Sequence, residues 1–203
     1  MARQRERTEA SRRALIDAAL QIIGEEGYRA LTTTRIEQVT GASRGLAGYH
    51  FRSKQGLTEA VIRDAQDSFV AYIARLHEAQ HWRTGLDGVQ GLIRGYLGQL
   101  GRNPRRSRAV LILTVESLAS QPALRDAIHT VNAVLRDTLR DHLARGQDDG
   151  SVRQDIEPAL ESVVLAGVLR GITLQWLADP DGIDLSRATE SAAAMADRTY
   201  AKH

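Results

Sequence analysis

Residues 32–54 read TTTRIEQVTGASRGLAGYHFRSK, and the rest of the chain is interpreted from this stretch. Thr32 suits a helix start, and Ile36 and Val39 are spaced to face inward from a short helix over about 33–40. Gly41 turns the chain. Ser43 suits the start of a second, very short helix over about 44–49, which leads into Tyr49-His50-Phe51. Ser53 and Lys54 then open a long helix. Two short helices joined by a tight glycine turn, the second basic and polar, form the arrangement that offers a side-chain edge to a DNA major groove.

The charge distribution agrees. The 203-residue chain, long enough for one or two domains with a buried core, has a net charge of only +2. Residues 1–54, however, carry ten Lys and Arg against six Asp and Glu, while the remainder carries seventeen against nineteen. The positive excess sits with the helix-turn-helix pattern, as phosphate contact requires, although a solvated basic tail gives the same count. The absence of Cys excludes a disulfide framework and a thiolate metal site. No apolar run is expected to reach the roughly 20 residues of a membrane span, and no signal-peptide segment follows the basic start. The expectation is a cytoplasmic protein with no membrane partner.

An Ala-, Leu- and Arg-rich composition with four Pro favours an all-α fold. A first helix is predicted over about 9–25, its apolar face made by Ala14, Leu15, Ala18, Ala19, Ile22 and Ile23, with Gly27 as its C-cap. The arginines from Arg3 to Arg13 are expected as a mobile arm. Three short helices bury too little surface to stand alone, so the helix opened at Ser53 and running to about 81 is read as the connector to a second module. Beyond it, helices are predicted over about 84–100, 122–146, 158–179 and 186 to the end, with a break at Gly101-Arg102-Asn103-Pro104 and an apolar segment over 109–118. That makes nine or ten helices and no strand.

Gly27-Tyr28, Thr32-Thr33, Ile36, Gly41-Ala42-Ser43, Gly45, Tyr49-His50-Phe51, Ser53-Lys54 and Leu57 together resemble the DNA-binding domain of TetR-type transcriptional repressors. The resemblance is close over about 9–60 and architectural beyond. It implies a homodimer that binds an operator in double-stranded DNA, with a helix-turn-helix domain at 9–60 and a helical effector-binding and dimerisation domain at 61–203. Leu174-Gln175-Trp176-Leu177-Ala178-Asp179-Pro180 and the short Tyr-His-Phe arrangement are similar to the branch of choline-sensing repressors of betaine synthesis. Three positions depart from the family pattern. Glu37 stands where a small Ala is usual and is expected to find Arg35 or Arg44. Thr40 replaces Ala. Ala47 and Gly48 replace bulkier residues, and glycines in so short a helix cost about 1 kcal/mol each relative to Ala; they would let the helix approach the duplex closely.

By chemistry, Ser43 is a good N-cap, and Arg44 is placed to meet a guanine edge or phosphate, or to pair with Glu37. Gly45 accompanies them at the helix start. Leu46 either touches a thymine methyl or packs inward. Tyr49 and His50 carry polar tips suited to phosphate, with core capping the alternative for Tyr49; Phe51 is expected in the core. Lys54 is a cation in the first turn of a helix, which the helix dipole disfavours, so a phosphate partner would account for it. Thr33, Thr34 and Arg35 would grip the backbone, or the threonines would only cap.

His77-Glu78-Ala79-Gln80-His81 matches H-E-x-x-H, which on a helix could hold zinc with Glu78 activating water. No third ligand is nearby, so a zinc hydrolase is the alternative function and a helical protein-interaction module the third; no cofactor, metal or enzyme activity is expected. Gly85, Gly88, Gly91, Gly95 and Gly98 form a small-residue face for close packing, or line ligand space. For a small-molecule effector the pocket candidates are Phe69, Tyr72, Tyr96, Glu116, His129 and Trp176. Glu116 leads, because a buried carboxylate needs a partner that a cationic effector would supply. Ala159, Val163, Ala166, Gly167, Arg170, Gly171 and Leu174 form the candidate dimer stripe.

Overall fold

The computed structural model describes residues 2–42 and 45–202. Among these residues the fold is all-α, as expected: α1 Ala2–Glu26, α2 Thr33–Thr40, α3 Leu46–Phe51, α4 Lys54–Gln80, α5 Gly85–Arg102, α6 Pro104–Ala119, α7 Arg125–Asp149, α8 Pro158–Ala178 and α9 Leu185–Tyr200. Tyr28–Ala30 and Pro122–Leu124 are single 3-10 turns. The one strand-like pairing among the described residues is an isolated bridge between Val152 and Ala201.

Several boundaries moved. The arginine-rich start continues α1 rather than forming an arm, because Arg, Gln and Glu are good helix formers and no Gly or Pro interrupts them before Gly24. Pro104 opens α6 instead of ending a loop, a position where its missing N–H costs nothing. Pro122 makes only a 3-10 turn, so α7 begins at Arg125. Against expectation, α8 is long and apolar enough by length and composition to cross a membrane, with a mean hydropathy of 1.3. Core helices pass the same test, and α8 buries Ser162, Leu165, Ala166, Leu169 and Thr173.

The chain divides into two compact units, residues 1–67 with 105–131, and 68–104 with 132–203. In this division α6 and the start of α7 group with the N-terminal helices. In the first unit, Leu15, Ile16, Ala19, Ile22 and Ile23 of α1 pack with Leu31, Ile36, Phe51, Val61, Ile62 and Leu113, all nearly solvent-free. A half-buried Arg106–Asp64 pair (2.8 Å) ties α6 to α4, and the backbone carbonyl of Arg105 lies so close to Gly24 that a side chain there would clash.

The second unit is built on α5, whose Val89, Leu92, Ile93, Leu97 and Leu100 meet Leu139, Leu143, Leu165, Leu169, Ala193 and Tyr200. Thr84 caps α5 in a reciprocal capping box with Asp87. The α5 glycines serve packing. A side chain at Gly85 would strike the Gly146 backbone, at Gly88 the His142 ring, at Gly91 the Trp82 indole and at Gly95 Leu76. Only Gly98 has looser surroundings, with the Tyr72 hydroxyl at 3.9 Å from a Cβ placed there. Trp82 stands edge-on between His77 and His142, with ring centroids 5.3 Å from each. Tyr200 closes the unit by donating to Glu161 at 2.8 Å.

Burial pushes the His142 pKa down; the charges of His77 and Arg145 add to this and Asp141 opposes it. With the folded value below the unfolded one, its stabilisation is present above about pH 6.5 and is lost as pH falls through the folded value. Denaturant unfolding should therefore show wild type losing stability between about pH 7.5 and pH 5, and His142→Phe losing less. Equal losses in both would contradict this role.

Candidate nucleic-acid interface

The helix-turn-helix is fixed by local backbone chemistry. Thr32 accepts the Arg35 N–H at 3.2 Å and so caps α2. Gly41 ends α2 at φ 67°, in the left-handed region, with its N–H on the Glu37 carbonyl at 2.8 Å. The Thr40 hydroxyl donates to the Ile36 carbonyl (2.7 Å) and accepts the Ala42 N–H (3.2 Å), so the threonine that departs from the family pattern closes the turn. Gly45, at φ 89°, stands at the N-cap of α3, and its carbonyl takes the Tyr49 N–H at 2.8 Å. The helix thus begins at Leu46, two residues later than the sequence suggests. Ser43 and Arg44, the expected cap and base-reading residues, lie outside the described residues.

On α3, Ala47 and Phe51 are buried, and Leu46 packs partly buried on the same core. Tyr49 is 78% exposed, which sets it apart from core capping. His50 is half-buried and meets the Tyr49 ring edge-on at 5.2 Å. Gly48 is exposed. After α3 comes Arg52, a non-glycine residue at φ 61° whose N–H reaches the Gly48 carbonyl at 2.9 Å. Its exposed side chain flanks the same surface, and the only sequence signal for it was a cation between Phe51 and Ser53.

Two expected phosphate contacts have internal partners. Arg35 forms a fork with Glu26 at 2.8–3.0 Å and also reaches Gln38, so it pairs with Glu26 rather than Glu37. The Lys54 ammonium donates to the Tyr28 carbonyl at 3.0 Å and sits 4.3 Å from the Tyr28 ring centroid. Burial lowers the Lys54 pKa, and the Glu116 charge works the other way. A cation in the first turn of α4 therefore has an explanation inside the fold. Thr33 and Thr34 are exposed at the start of α2. Glu116 is half-buried and accepts from the Ser120 hydroxyl, so the carboxylate has a partner and no longer calls for a cationic effector.

The other candidates separate. Phe69, Tyr72, Tyr96 and Trp176 all pack against the core of the second unit, with Phe69 and Tyr96 edge-to-face at 5.8 Å and the Tyr72 hydroxyl accepting from Arg102 at 2.8 Å. Glu116 and an exposed His129 belong to the first unit. On α8, Val163 and Leu174 are exposed by 53% and 56%, and Gly167 is exposed, but Ala166 is buried and Arg170 donates to Asn132 at 2.6 Å. His77 lies on α4 whereas His81 lies beyond its end at φ 47°, so the two do not share a helix face. Among the described residues no group of three or more His, Asp or Glu is placed to hold a metal.

Residues 86–201, more than half of the chain, match the family model of BetI-type transcriptional repressors, C-terminal. Residues 15–61 match that of bacterial regulatory proteins of the tetR family. The HTH-type transcriptional repressor AcnR of Corynebacterium glutamicum is 28% identical over 163 residues, 79% of either chain. The HTH-type transcriptional regulator BetI of Escherichia coli is 42% identical over 67 residues, 32% of this chain and 34% of BetI. A transcriptional regulator from Saccharomonospora viridis, solved in complex with choline, shares the fold with a TM-score of 0.81 over 96% of this chain and 100% of its own, at 19% identity. These relatives are regulators, not enzymes, and nothing in them supports a hydrolase built on His77, Glu78 and His81. The chain belongs to the TetR family of bacterial transcriptional regulators, with a C-terminal region of the BetI repressor type.

Proposed function

We propose that residues 9–60 read an operator and residues 61–203 bind an effector and a second copy of the chain. The observation that carries the first part is α3: a six-residue helix with Ala47 and Phe51 buried, which leaves Gly48, Tyr49 and Arg52 facing out. Tyr49 and His50 contact phosphate or base edges, Arg52 supplies a phosphate contact, and Thr33 and Thr34 meet the backbone. Ser43, Arg44, Gly45 and Leu46 line the approach to the groove. Arg35 and Lys54 reach phosphate only by exchanging Glu26 and Tyr28 for it. Binding DNA places the protein with the chromosome, in the cytoplasm of a bacterial cell.

Dimerisation is supported by α8, where Leu160, Val163, Val164, Gly167 and Leu174 recur at helical spacing on an exposed apolar face. That face also accounts for the hydropathy of α8 without a membrane. Phe69, Tyr72, Tyr96 and Trp176 are the aromatic groups most suited to an effector. The choline bound by the Saccharomonospora viridis regulator makes choline one ligand to test.

In fluorescence anisotropy with duplex from upstream of its own gene, affinity should fall steeply as salt rises, and Tyr49→Ala should weaken binding about tenfold without lowering thermal stability. Unchanged affinity in Tyr49→Ala would remove that contact, and salt-independent binding would remove the phosphate reading. In sedimentation, wild type should run as a dimer and the double variant Val163→Arg/Leu174→Arg as a helical monomer. A wild-type monomer at every concentration would contradict the interface.

A further inference from the structure

Glycine is a poor choice inside a helix, because it loses more backbone freedom on folding than alanine does. Most of the seventeen glycines here have a reason inside the protein. Gly27, Gly41, Gly45 and Gly150 occupy positive φ. Gly24, Gly56, Gly85, Gly88, Gly91, Gly95, Gly101, Gly146 and Gly182 have neighbours that a side chain would crowd, and Gly98 lies in ordinary contact range of Tyr72. Three remain that have, among the described residues, no atom within 4 Å of an added Cβ and no positive φ: Gly48, Gly167 and Gly171. The last two lie one turn apart on α8, the helix assigned above to the second copy. Gly48 lies in the middle of α3, exposed, beside a Tyr49 that is 78% exposed.

We infer that Gly48 is a steric specificity determinant, a point where the duplex seats directly against bare helix backbone. The inference rests on the DNA-reading assignment of α3. Gly48 and Tyr49 are the two exposed residues of α3, between the Gly45 cap and the buried Phe51. Gly45 is needed for its backbone conformation; Gly48 is not, and no described residue of the chain gains from its missing side chain. On that exposed side the helix offers bare backbone at Gly48, with the Tyr49 ring beside it. A reader so shaped sits deeper in the groove than one carrying side chains there, with Tyr49 reaching beyond the point of contact. A methyl group at residue 48 holds the two surfaces apart and weakens the neighbouring contacts together.

The test is Gly48→Ala in the full chain, measured for thermal denaturation and for affinity toward the same upstream duplex. The expected result is a denaturation midpoint at or above that of wild type, with duplex affinity reduced about tenfold or more. A more stable protein with worse binding separates this role from a structural one. Wild-type affinity in the variant would overturn the proposal, and so would a lowered midpoint, which would make the glycine a requirement of the fold. Failure of wild type to bind any duplex is a different outcome: it would remove the DNA-reading assignment, and this inference with it.

Discussion

The constraint behind this structure is that α3, the second helix of the helix-turn-helix, cannot hold itself. Six residues form little more than one and a half turns, far below the length at which a helix is stable in water. Its position must come from its surroundings. Two side chains, Ala47 and Phe51, anchor it in the core beneath α1 and α4, and glycines at positive φ on either side of the turn set its direction. Thr32, Thr40 and Lys54 then tie the flanking backbone by hydrogen bonds to Arg35 N–H, Ile36 carbonyl and Tyr28 carbonyl. With so many backbone groups engaged, the outward face is free to carry side chains, or a glycine, chosen for a partner.

The second unit solves a different problem with the same residue type. Its α5 buries ten residues, four of them glycines, and neighbouring elements come close enough to fill the space that side chains would take. Trp82 lies against Gly91 and is flanked by two imidazoles, so the connection from α4 to α5 is packed rather than loose. That packing absorbs the His77 of the H-E-x-x-H pattern, while the left-handed turn at His81 takes its intended partner off the helix.

Periodicity and punctuation made most of the helices legible. Thr32, Gly41, Ser53 and Thr84 act locally, and each sits at the helix end assigned to it. What stayed hidden depended on long-range partners. Nothing in the local sequence says that Arg35 will choose Glu26, nine residues earlier, over Glu37, or that Lys54 will turn toward Tyr28. Glu116 looked like a buried orphan because its helix is apolar, yet Ser120 one turn later satisfies it. The start of α3 is not legible locally, because Ser43 is a stronger cap by composition than Gly45, whereas the helix start uses the left-handed backbone of the glycine. The α5 glycines could be seen as a face but not assigned, since packing and ligand space look alike until the opposing atoms are known.

The central claim is that the surface around α3 reads a specific operator as part of a two-fold dimer. The most direct measurement is selection of bound duplexes from a random-sequence pool by the full chain. The account predicts one enriched palindromic site whose half-sites are centred about one helical turn, roughly 34 Å, or a whole multiple of it apart. No enrichment over the starting pool, or enrichment of a solitary half-site without its inverted partner, would contradict it.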